Sequence, residues 1–258
     1  MISKQQIKYI RSLHQKKYRE QFQVYLAEGA KLVNEILELI PEAVQYLLYT
    51  SKSLPLIDIS RFEDRFQAIE VKSSEFEILS TQKSPQGILA VVRQPETSLI
   101  PSQDLGDLTL ALDSIRDPGN LGTLIRLADW FGIKNIICSE DTVECYNPKV
   151  IQASMGAILR VCIHYTSLAD YVKEAGKNQV CYLYGTSMSG TDLYTISFKT
   201  PAIILLGNES NGVDPMLSRS MHENVYIPNF NLSESRSESL NVSIAAGIIC
   251  AEFRRQNG

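Results

Sequence analysis

Three polar segments carry most of the residues in this chain that could do chemistry. They are rich in Gly, Asn, Pro and charged side chains, and they read DSIRDPGNLG at residues 113–122, GNESNGVDP at 207–215 and IPNFNLSESRSESLN at 227–241. The first two directly follow short apolar runs. In open α/β sheets, ligands bind and reactions occur outside the carboxyl ends of the strands. The three segments are therefore the candidate site for binding and catalysis.

Several common kinds of site are not supported by the residue spacing. No GxGxxG follows an apolar run, so a dinucleotide-binding turn is unsupported. Gly207 and Gly212, like Gly185 and Gly190, have the glycine spacing of a P-loop but lack the Lys-Ser/Thr that contacts the phosphates. There is no GxSxG, and the three histidines lack the spacing of a triad or a metal site. We predict no metal.

The second half of the chain alternates between apolar runs and helical patterns. Short continuous apolar runs are typical of parallel strands that are buried on both faces. They occupy residues 108–112, 135–138, 161–164, 180–184 and 202–206. Helical periodicity covers residues 121–131, 168–175 and 239–255. This half is predicted to form an α/β domain with a mostly parallel sheet.

The first half is predicted to be a smaller α/β domain. Helices are expected at residues 5–20 and 29–40, and strands at 23–27, 44–49 and 87–92. A capping box over Ser74 to Glu77 predicts a further short helix. Residues 94–107 carry two prolines among polar residues, without sustained periodicity. We therefore place domains at 1–94 and 108–258, joined by a linker at 95–107.

Composition and charge limit the class of protein. The 258 residues contain no run of 18 apolar residues and no apolar leader, and the five scattered cysteines are typical of reduced thiols. These features favour a cytoplasmic protein. The net charge is −4, yet residues 1–31 hold seven Lys and Arg against two Glu. That imbalance fits either a contact surface for nucleic-acid phosphates or a solvated helix face.

The three polar segments resemble the signature motifs of a known family. The stretches DPGNLGTLIRLADWFG, LLGNESNGVDP and IPN…SLNVSIAAGI are similar, in that order, to the three motifs of the SpoU (TrmH-like) RNA ribose 2′-O-methyltransferases of the SPOUT superfamily. The NPK and SMGA elements at residues 147–149 and 154–157 also match that family. LAEGAKLV and STQKSPQGILAVV resemble its N-terminal substrate-binding domain. The resemblance covers nearly the whole chain.

This resemblance implies a fold and a reaction. The expected fold is a C-terminal α/β/α domain with a mostly parallel sheet and a deep trefoil knot, preceded by a small α/β domain like that of ribosomal protein L30e. The expected reaction transfers a methyl group from S-adenosylmethionine to a ribose 2′-hydroxyl of structured RNA, with 23S ribosomal RNA favoured. A homodimer through the C-terminal domain is also implied. A transfer-RNA substrate, a base-modifying enzyme and an RNA-binding module without catalysis stay open as alternatives.

The resemblance also assigns roles to single residues. The catalytic group comprises Asn120, Arg126, Glu209, Ser239 and Asn241. A guanidinium has a pKa above about 12, so we expect Arg126 to grip a phosphate and stabilise the forming alkoxide instead of acting as a base. We expect Glu209 to anchor the neighbouring polar groups and Asn241 to brace the loops. Ser239 is expected to cap the last helix.

Two further sets of residues are predicted to bind the cofactor and the RNA. The cofactor set comprises Thr186, Leu206, Gly207, Ile227, Pro228 and Leu240. The RNA set comprises Lys4, Arg11, Lys16, Lys17 and Arg19. Tyr9, Tyr18 and Phe22 lie among those cations and either stack on bases or pack in the core. The chain departs from the family at Asn231, where glycine is common, and by a longer loop around it.

Overall fold

The computed structural model describes residues 2–59, 65–177, 181–208, 212–231 and 239–258. The chain divides into two units by the contacts of its main chain. The first unit contains Met1–Glu96 and Glu144–Leu159, and the second contains Thr97–Val143 and Arg160–Gly258. Among the described residues, no helix is both long enough and apolar enough to cross a membrane.

The helices and strands are numbered along the chain. The helices are α1 (Lys4–Ser12), α2 (Lys16–Phe22), α3 (Ala30–Leu39), α4 (Ser73–Leu79), α5 (Pro118–Trp130), α6 (Pro148–Ser154), α7 (Leu168–Lys177), α8 (Pro215–Arg219) and α9 (Val242–Asn257). The strands are β1 (Val24–Glu28), β2 (Val44–Tyr49), β3 (Gln67–Glu70), β4 (Ile88–Arg93), β5 (Leu108–Leu112), β6 (Asn135–Cys138), β7 (Cys162–Tyr165), β8 (Tyr182–Asp192), β9 (Ala202–Leu206) and β10 (Glu223–Tyr226).

A four-stranded sheet in the order β1-β4-β2-β3 forms the centre of the first unit. Strand β4 is antiparallel to β1 and β2, whereas β3 is parallel to β2. Alternate side chains of a strand point to opposite faces of the sheet. Both faces of this sheet are covered by apolar clusters. Ala27 belongs to the same apolar cluster as Ile36 of α3, whereas Leu26 clusters with Ile10 and Phe76 of α1 and α4. Burial on both faces explains why β1 and β4 are almost continuously apolar.

The predicted helix at residues 5–20 is broken into α1 and α2. Gln15 takes an extended conformation, with φ −100° and ψ 135°, and α2 begins after it. The side chain of Arg19 turns inward, and its Nη1 donates a 2.7 Å hydrogen bond to the carbonyl of Leu13. A carbonyl at a helix end has no partner within its own helix. The buried guanidinium supplies that partner, so the break and the arginine stabilise each other.

Residues 144–159 belong to the first unit, although the sequence places them in the C-terminal domain. Their apolar side chains join the same cluster as α3: Ile151 is buried there, and Ile158 and Leu159 pack against it. The ring of Tyr146 stacks on that of Tyr25 at 5.0 Å. The segment thus covers apolar surface that β1 presents on this face, a long-range contact that local periodicity does not reveal.

The first unit also differs from the sequence prediction in two smaller elements. Strand β3 is an addition, formed by the mixed sequence QAIE beside β2. Helix α4 begins at Ser73, and the carboxylate of Glu75 accepts a 3.0 Å hydrogen bond from the main-chain N–H of Lys72. The predicted pairing of Ser74 with Glu77 is therefore displaced toward the amino terminus by two residues.

The second unit contains a six-stranded sheet in the order β10-β8-β9-β5-β6-β7. Every pairing in it is parallel, which confirms the predicted parallel α/β architecture. The five predicted strands are present, with Val180 outside the described residues, and β10 is an addition. The apolar side of α7 packs against alternate residues of β5, β6, β8 and β9. The trefoil knot stays a prediction.

Residues 97–107 are part of the second unit. The hydroxyl of Tyr171 on α7 donates a 2.9 Å hydrogen bond to the carbonyl of Ile100. Leu105 is buried in the cluster under α7, and Ile100 packs against the same cluster. The stretch predicted as a linker is thus held against this unit by apolar contacts and a hydrogen bond.

Candidate active site

The three polar segments follow neighbouring strands of the parallel sheet. Strands β10, β8, β9 and β5 are adjacent in that order, and all run in one direction. The first segment follows β5, the second follows β9, and the third follows β10. Because the carboxyl ends of parallel strands meet at one edge, the segments converge there. This is the edge at which open α/β sheets bind ligands.

Helix α5 presents Asn120 and Arg126. Its N-cap is Asp117, whose side chain accepts a 2.8 Å hydrogen bond from the N–H of Asn120. The sequence predicts a loop-to-helix junction between the two site residues, but both lie within α5. At 3.6 residues per turn, their Cβ directions differ by about 120°. The two side chains therefore leave the helix in different directions.

Arg126 is exposed to solvent. Its guanidinium makes no hydrogen bond or ion pair with any residue that the structure describes. This exposed guanidinium is available to an anionic ligand, because its five N–H donors are unused by those residues. That availability is what the role implied by the resemblance requires.

The third segment is joined to the first by a hydrogen bond between two amides. The side-chain amide of Asn241 donates to the side-chain oxygen of Asn120 at 2.9 Å. Ser243 adds a second link, since its hydroxyl donates to the carbonyl of Asn120 at 3.2 Å. The two predicted site residues Asn120 and Asn241 are thus brought together in the structure.

The N-cap of the last helix is Asn241. Its side-chain oxygen accepts hydrogen bonds from the N–H groups of Ser243 at 2.9 Å and of Ile244 at 3.4 Å. The prediction that Ser239 is the cap is therefore wrong: α9 begins at Val242, and Ser239 lies three residues before it, exposed to solvent. The hydroxyl of Ser239 is therefore not used to cap the helix and is available for other contacts.

The first and second segments are joined by residues that sequence reasoning missed. Asp113, directly after β5, is buried, and its carboxylate accepts a 2.8 Å hydrogen bond from the N–H of Asp214. The side-chain amide of Asn208 donates to the carbonyl of Ser114 at 2.8 Å. Only their position in the sequence could have indicated these two residues, because Asp113 and Asn208 follow the two most apolar strands of the sheet.

Gly207 is required by the closing of its own loop. A Cβ at this position would lie 2.2 Å from main-chain atoms of Gly212 and Val213. Asn208 and Gly212 exchange two main-chain hydrogen bonds of 3.0 and 2.8 Å, and Gly212 has a φ of +69° that favours glycine. Between them, the predicted catalytic residue Glu209 lies outside the described residues.

The remaining cofactor residues lie on and after β8, β9 and β10. The ladder between β8 and β10 is interrupted, because Asn224 pairs with Gly185 and Val225 pairs with Thr191. Thr186 begins this interruption and is half-buried. Leu206 is buried as the last residue of β9, so only its main chain is available to a ligand.

The third segment supplies apolar surface for the implied cofactor. Ile227 and Pro228 directly follow β10 and are half-buried, and Leu240 is 48% exposed. A flat purine needs apolar surface on its faces and main-chain groups at its edge. Main-chain groups after Leu206 and these three apolar side chains are of the kinds that such a ligand requires.

Four of the five predicted RNA-binding cations are exposed on α1 and α2. They are Lys4, Arg11, Lys16 and Lys17. The fifth, Arg19, is only 2% exposed, and its guanidinium forms a two-pronged ion pair with Glu144 at 2.5 and 2.8 Å. Its assignment as an RNA contact is wrong, because the guanidinium is buried and paired with a carboxylate, where a phosphate cannot reach it.

Family models match most of the chain. Residues 107–251 match the model described as the SpoU rRNA Methylase family. Residues 4–90 match the model described as the MRM3-like substrate binding domain. The two matches lie on either side of the stretch that follows β4.

Individual proteins are similar over nearly their whole length. The 23S rRNA (guanosine(2553)-2′-O)-methyltransferase RlmP of Bacillus subtilis is 30% identical over 251 residues, covering 97% of this chain and 96% of the relative. A structure of a TrmH-family protein from Porphyromonas gingivalis is 35% identical, with a TM-score of 0.86 and 99% of each chain covered. An AdoMet-bound rRNA methyltransferase from Sinorhizobium meliloti is 29% identical, with a TM-score of 0.83, 99% of this chain and 97% of that one.

Proposed function

Since this chain belongs to the SpoU rRNA methylase family, we propose that it methylates a ribose 2′-hydroxyl of 23S ribosomal RNA. The coarser activity, an S-adenosylmethionine-dependent RNA methyltransferase, follows from the family and its AdoMet-bound relative. The observation that carries the proposal is the hydrogen bond from Asn241 to Asn120. It joins the first and third motif segments on the helix that presents the exposed Arg126.

The choice of ribosomal RNA rests on the whole length of the chain. The Bacillus subtilis relative, named as a 23S rRNA enzyme, aligns over both units, so the likeness includes the part that selects substrate. Transfer RNA is the second candidate substrate for the same reaction. A binding module without catalysis would not need the exposed guanidinium of Arg126, which no described residue pairs, so the site favours an enzyme.

The cofactor would be held by the loops after β8, β9 and β10. The main chain of Leu206 and Gly207 would meet the edge of the purine, while Ile227, Pro228 and Leu240 would cover its faces and Thr186 would lie at its far side. S-adenosylmethionine supplies an electrophilic methyl group on a sulfonium. The chain must therefore align the ribose oxygen with that methyl, which is catalysis by positioning.

Arg126 would act on the ribose side of the reaction. A guanidinium offers N–H donors and no acceptor, so Arg126 would not remove the proton of the 2′-hydroxyl. It would instead bind the neighbouring phosphate in a bidentate manner and stabilise the negative charge that develops on the 2′-oxygen. Asn120, held by Asn241, would orient the start of α5 beside it, with Glu209 and Ser239 completing the polar surroundings.

The first unit would hold the RNA outside the reacting centre. Lys4, Arg11, Lys16 and Lys17 would neutralise phosphates, which makes binding weaker at high salt. We further propose that the protein is cytoplasmic and a homodimer through the second unit. Light scattering of the protein as it elutes from a size-exclusion column tests the dimer. A molar mass near twice 28.9 kDa is expected, and the mass of a monomer would contradict the proposal.

The test is transfer of labelled methyl to unmodified 23S ribosomal RNA and to transfer RNA. We expect label in 23S RNA, a loss of at least about 100-fold in turnover for Arg126→Ala, and a partial loss for Arg126→Lys. Arg255→Ala is the matched control, because this exposed arginine lies at the far end of α9. Label in transfer RNA alone would reassign the substrate, and normal turnover of Arg126→Ala would overturn the mechanism.

Two further measurements separate the alternatives. A 2′-O-methyl group blocks alkaline cleavage at its own linkage, so alkaline hydrolysis of the product should leave one gap in the ladder. A complete ladder with incorporated label would indicate a methylated base. Calorimetric titration with S-adenosylmethionine separates an enzyme from a module that has lost its cofactor, since only the former should bind it.

A further inference from the structure

The end of helix α2 carries an aromatic ring that the core does not take up. Phe22 is the last residue of α2 and is 41% exposed. The next residue, Gln23, takes a left-handed conformation with φ 52° and ends the helix, and its side-chain amide donates a 2.7 Å hydrogen bond to the carbonyl of Glu20. The ring therefore lies at the point where the helix ends.

Two tyrosine rings contact Phe22. The ring of Tyr9 meets it edge to face at 5.1 Å, and the ring of Tyr18 lies nearly parallel to it at 6.4 Å. Both tyrosines are partly buried and pack against the apolar cluster of α1 and α4. The hydroxyl of Tyr9 also faces the side-chain oxygen of Gln45 at 3.4 Å. The structure thus assigns Tyr9 and Tyr18 to packing and leaves Phe22 facing solvent.

The charges carried by α1 and α2 are almost all positive. Their exposed cations are Lys4, Lys8, Arg11, Lys16 and Lys17. The ammonium of Lys17 lies 4.6 Å from the centre of the Tyr18 ring, the ring that stacks on Phe22. Glu20 is the one acidic residue within α1 and α2, and Lys16 pairs with it at 3.5 Å. The surface formed by Phe22 and these cations is called the Phe22 platform below.

This combination differs from other exposed apolar side chains of the first unit. Ile78 on α4 is 50% exposed, but its helix carries Glu75 and Glu77 and no basic residue. A protein partner would be expected to use apolar surface of either kind. An unpaired base with its flanking phosphates would bind only at the Phe22 platform, because such a segment needs cations beside an aromatic face.

We propose that an unpaired base of the substrate RNA stacks on Phe22, with its flanking phosphates neutralised by the lysines of α1 and α2. The proposal rests on the RNA-methylating function above and adds to it that the first unit binds a single-stranded segment instead of a regular duplex. Bases within a duplex are covered by their neighbours, whereas bases of loops and bulges can be splayed out onto aromatic rings.

A fluorescence experiment tests the stacking directly. Trp130 is the one tryptophan of the chain and is exposed. In a Trp130→Phe background, Phe22→Trp places a single indole on the platform, and Ile78→Trp places one on the acidic helix as the matched control. A single-stranded ten-nucleotide oligoadenylate at low salt should quench the first indole and leave the second unchanged. A blunt ten-base-pair RNA duplex of G·C pairs, which stays paired at low salt, should quench neither.

Kinetics on full-length substrate RNA give the second readout. Phe22→Ala should raise KM for RNA by about 5- to 150-fold, the range expected for loss of one base stack, and leave KM for S-adenosylmethionine unchanged. Phe22→Trp should restore KM for RNA, and Ile78→Ala should stay within twofold of the wild type. Circular dichroism of Phe22→Ala should match the wild type, and a lost helical signal would attribute the change in KM to unfolding of the unit instead of to stacking.

The outcomes separate this proposal from the proposed function. Quenching is measured without cofactor, so a chain that methylates no RNA could still show stacking. Active enzyme with an unquenched indole at position 22 would overturn the stacking and leave the methyltransferase function intact. Equal quenching by the single strand and the duplex would also overturn it, since the contact would then be with the backbone alone.

Discussion

Asn241 donates a 2.9 Å side-chain hydrogen bond to Asn120, 121 residues before it in the chain. The same Asn241 side chain accepts hydrogen bonds from N–H groups in the first turn of α9. The hydroxyl of Ser243 on that helix donates a hydrogen bond to the carbonyl of Asn120. One residue thus begins the last helix and holds the amino-terminal turn of α5. The start of the helix that carries Arg126 is therefore positioned by a residue from the other end of the second unit.

The two roles of Asn241 can be separated by substitution. Asn241→Ala should lose about 1 kcal/mol of unfolding free energy, because the cap is removed. Asn241→Ser should retain stability, since serine caps well, but its side chain is too short to reach Asn120. Both variants should lose about 2- to 10-fold in kcat, the equivalent of one net hydrogen bond. Denaturant unfolding and methyl-transfer kinetics check this, and full activity of Asn241→Ser would disprove the bracing role.

Gly207 should tolerate no side chain. Gly207→Ala places a methyl group 2.2 Å from the main chain of Gly212, so the loop must open. If the cofactor needs the closed loop, its Kd should rise by about 5- to 150-fold, equivalent to an overpacking cost of about 1–3 kcal/mol. Gly106→Ala is the control, because nothing lies within 4 Å of a Cβ there. Calorimetric titration measures both, and an unchanged Kd for Gly207→Ala would contradict the loop's role.

Arg19 should matter for stability and not for RNA contact. Arg19→Ala leaves the largely buried Glu144 without its partner, which should cost about 3–5 kcal/mol of unfolding free energy. Lys16→Ala, which changes an exposed cation on the same helix, should stay within about 0.5 kcal/mol. Adding Glu144→Gln to Arg19→Ala should recover part of the loss. A stable Arg19→Ala protein with weakened RNA affinity would restore the original RNA assignment.

Acid should weaken the contact between Asp107 and α9. The hydrogen bond from the Arg254 guanidinium holds the pKa of Asp107 below its ordinary value of 3.8, against the opposing effect of burial. A carboxyl whose pKa is lower in the folded state stabilises the fold above pH 4 and loses that contribution as pH falls further. Wild type should therefore exceed Asp107→Asn in stability at pH 7.

The comparison of these two proteins across pH provides the check. Their difference in unfolding free energy should shrink below pH 4, since Asp107→Asn has no proton to bind there. Other carboxyl groups affect both proteins alike and cancel from the difference. A difference that stays constant from pH 7 to pH 3 would show that the ion pair contributes nothing that titrates.

Much of the fold was predictable because burial on both faces leaves a local pattern. The apolar runs of β5, β6 and β9 predicted parallel strands, and the structure has them within a residue or two. Strand β10, with the mixed sequence ENVY, was not predictable in this way, because it lies at the edge of the sheet and is only partly buried. The same holds for β3. These two strands have mixed compositions, so only their pairing with a neighbouring strand identifies them.

The site was predictable in identity and less so in arrangement. The resemblance assigned Asn120 and Asn241 to one site, and their hydrogen bond supports it. It could not indicate that Asn241 replaces Ser239 as the cap, since Ser, Leu and Asn in succession offer two acceptable capping residues. Asp113 and Asn208 went unassigned because their partners, Asp214 and Ser114, become neighbours only when adjacent strands bring separate loops together.

By itself the sequence determined the family, the parallel sheet and the three segments at its carboxyl edge, because these depend on residue types at short spacing. Only the tertiary structure decided which charges stay available. Arg19 and Arg126 are both arginines within helices, yet one is buried against Glu144 and the other faces solvent. The difference arises from a carboxylate 125 residues away in the chain, and a contact of that range is formed by folding alone.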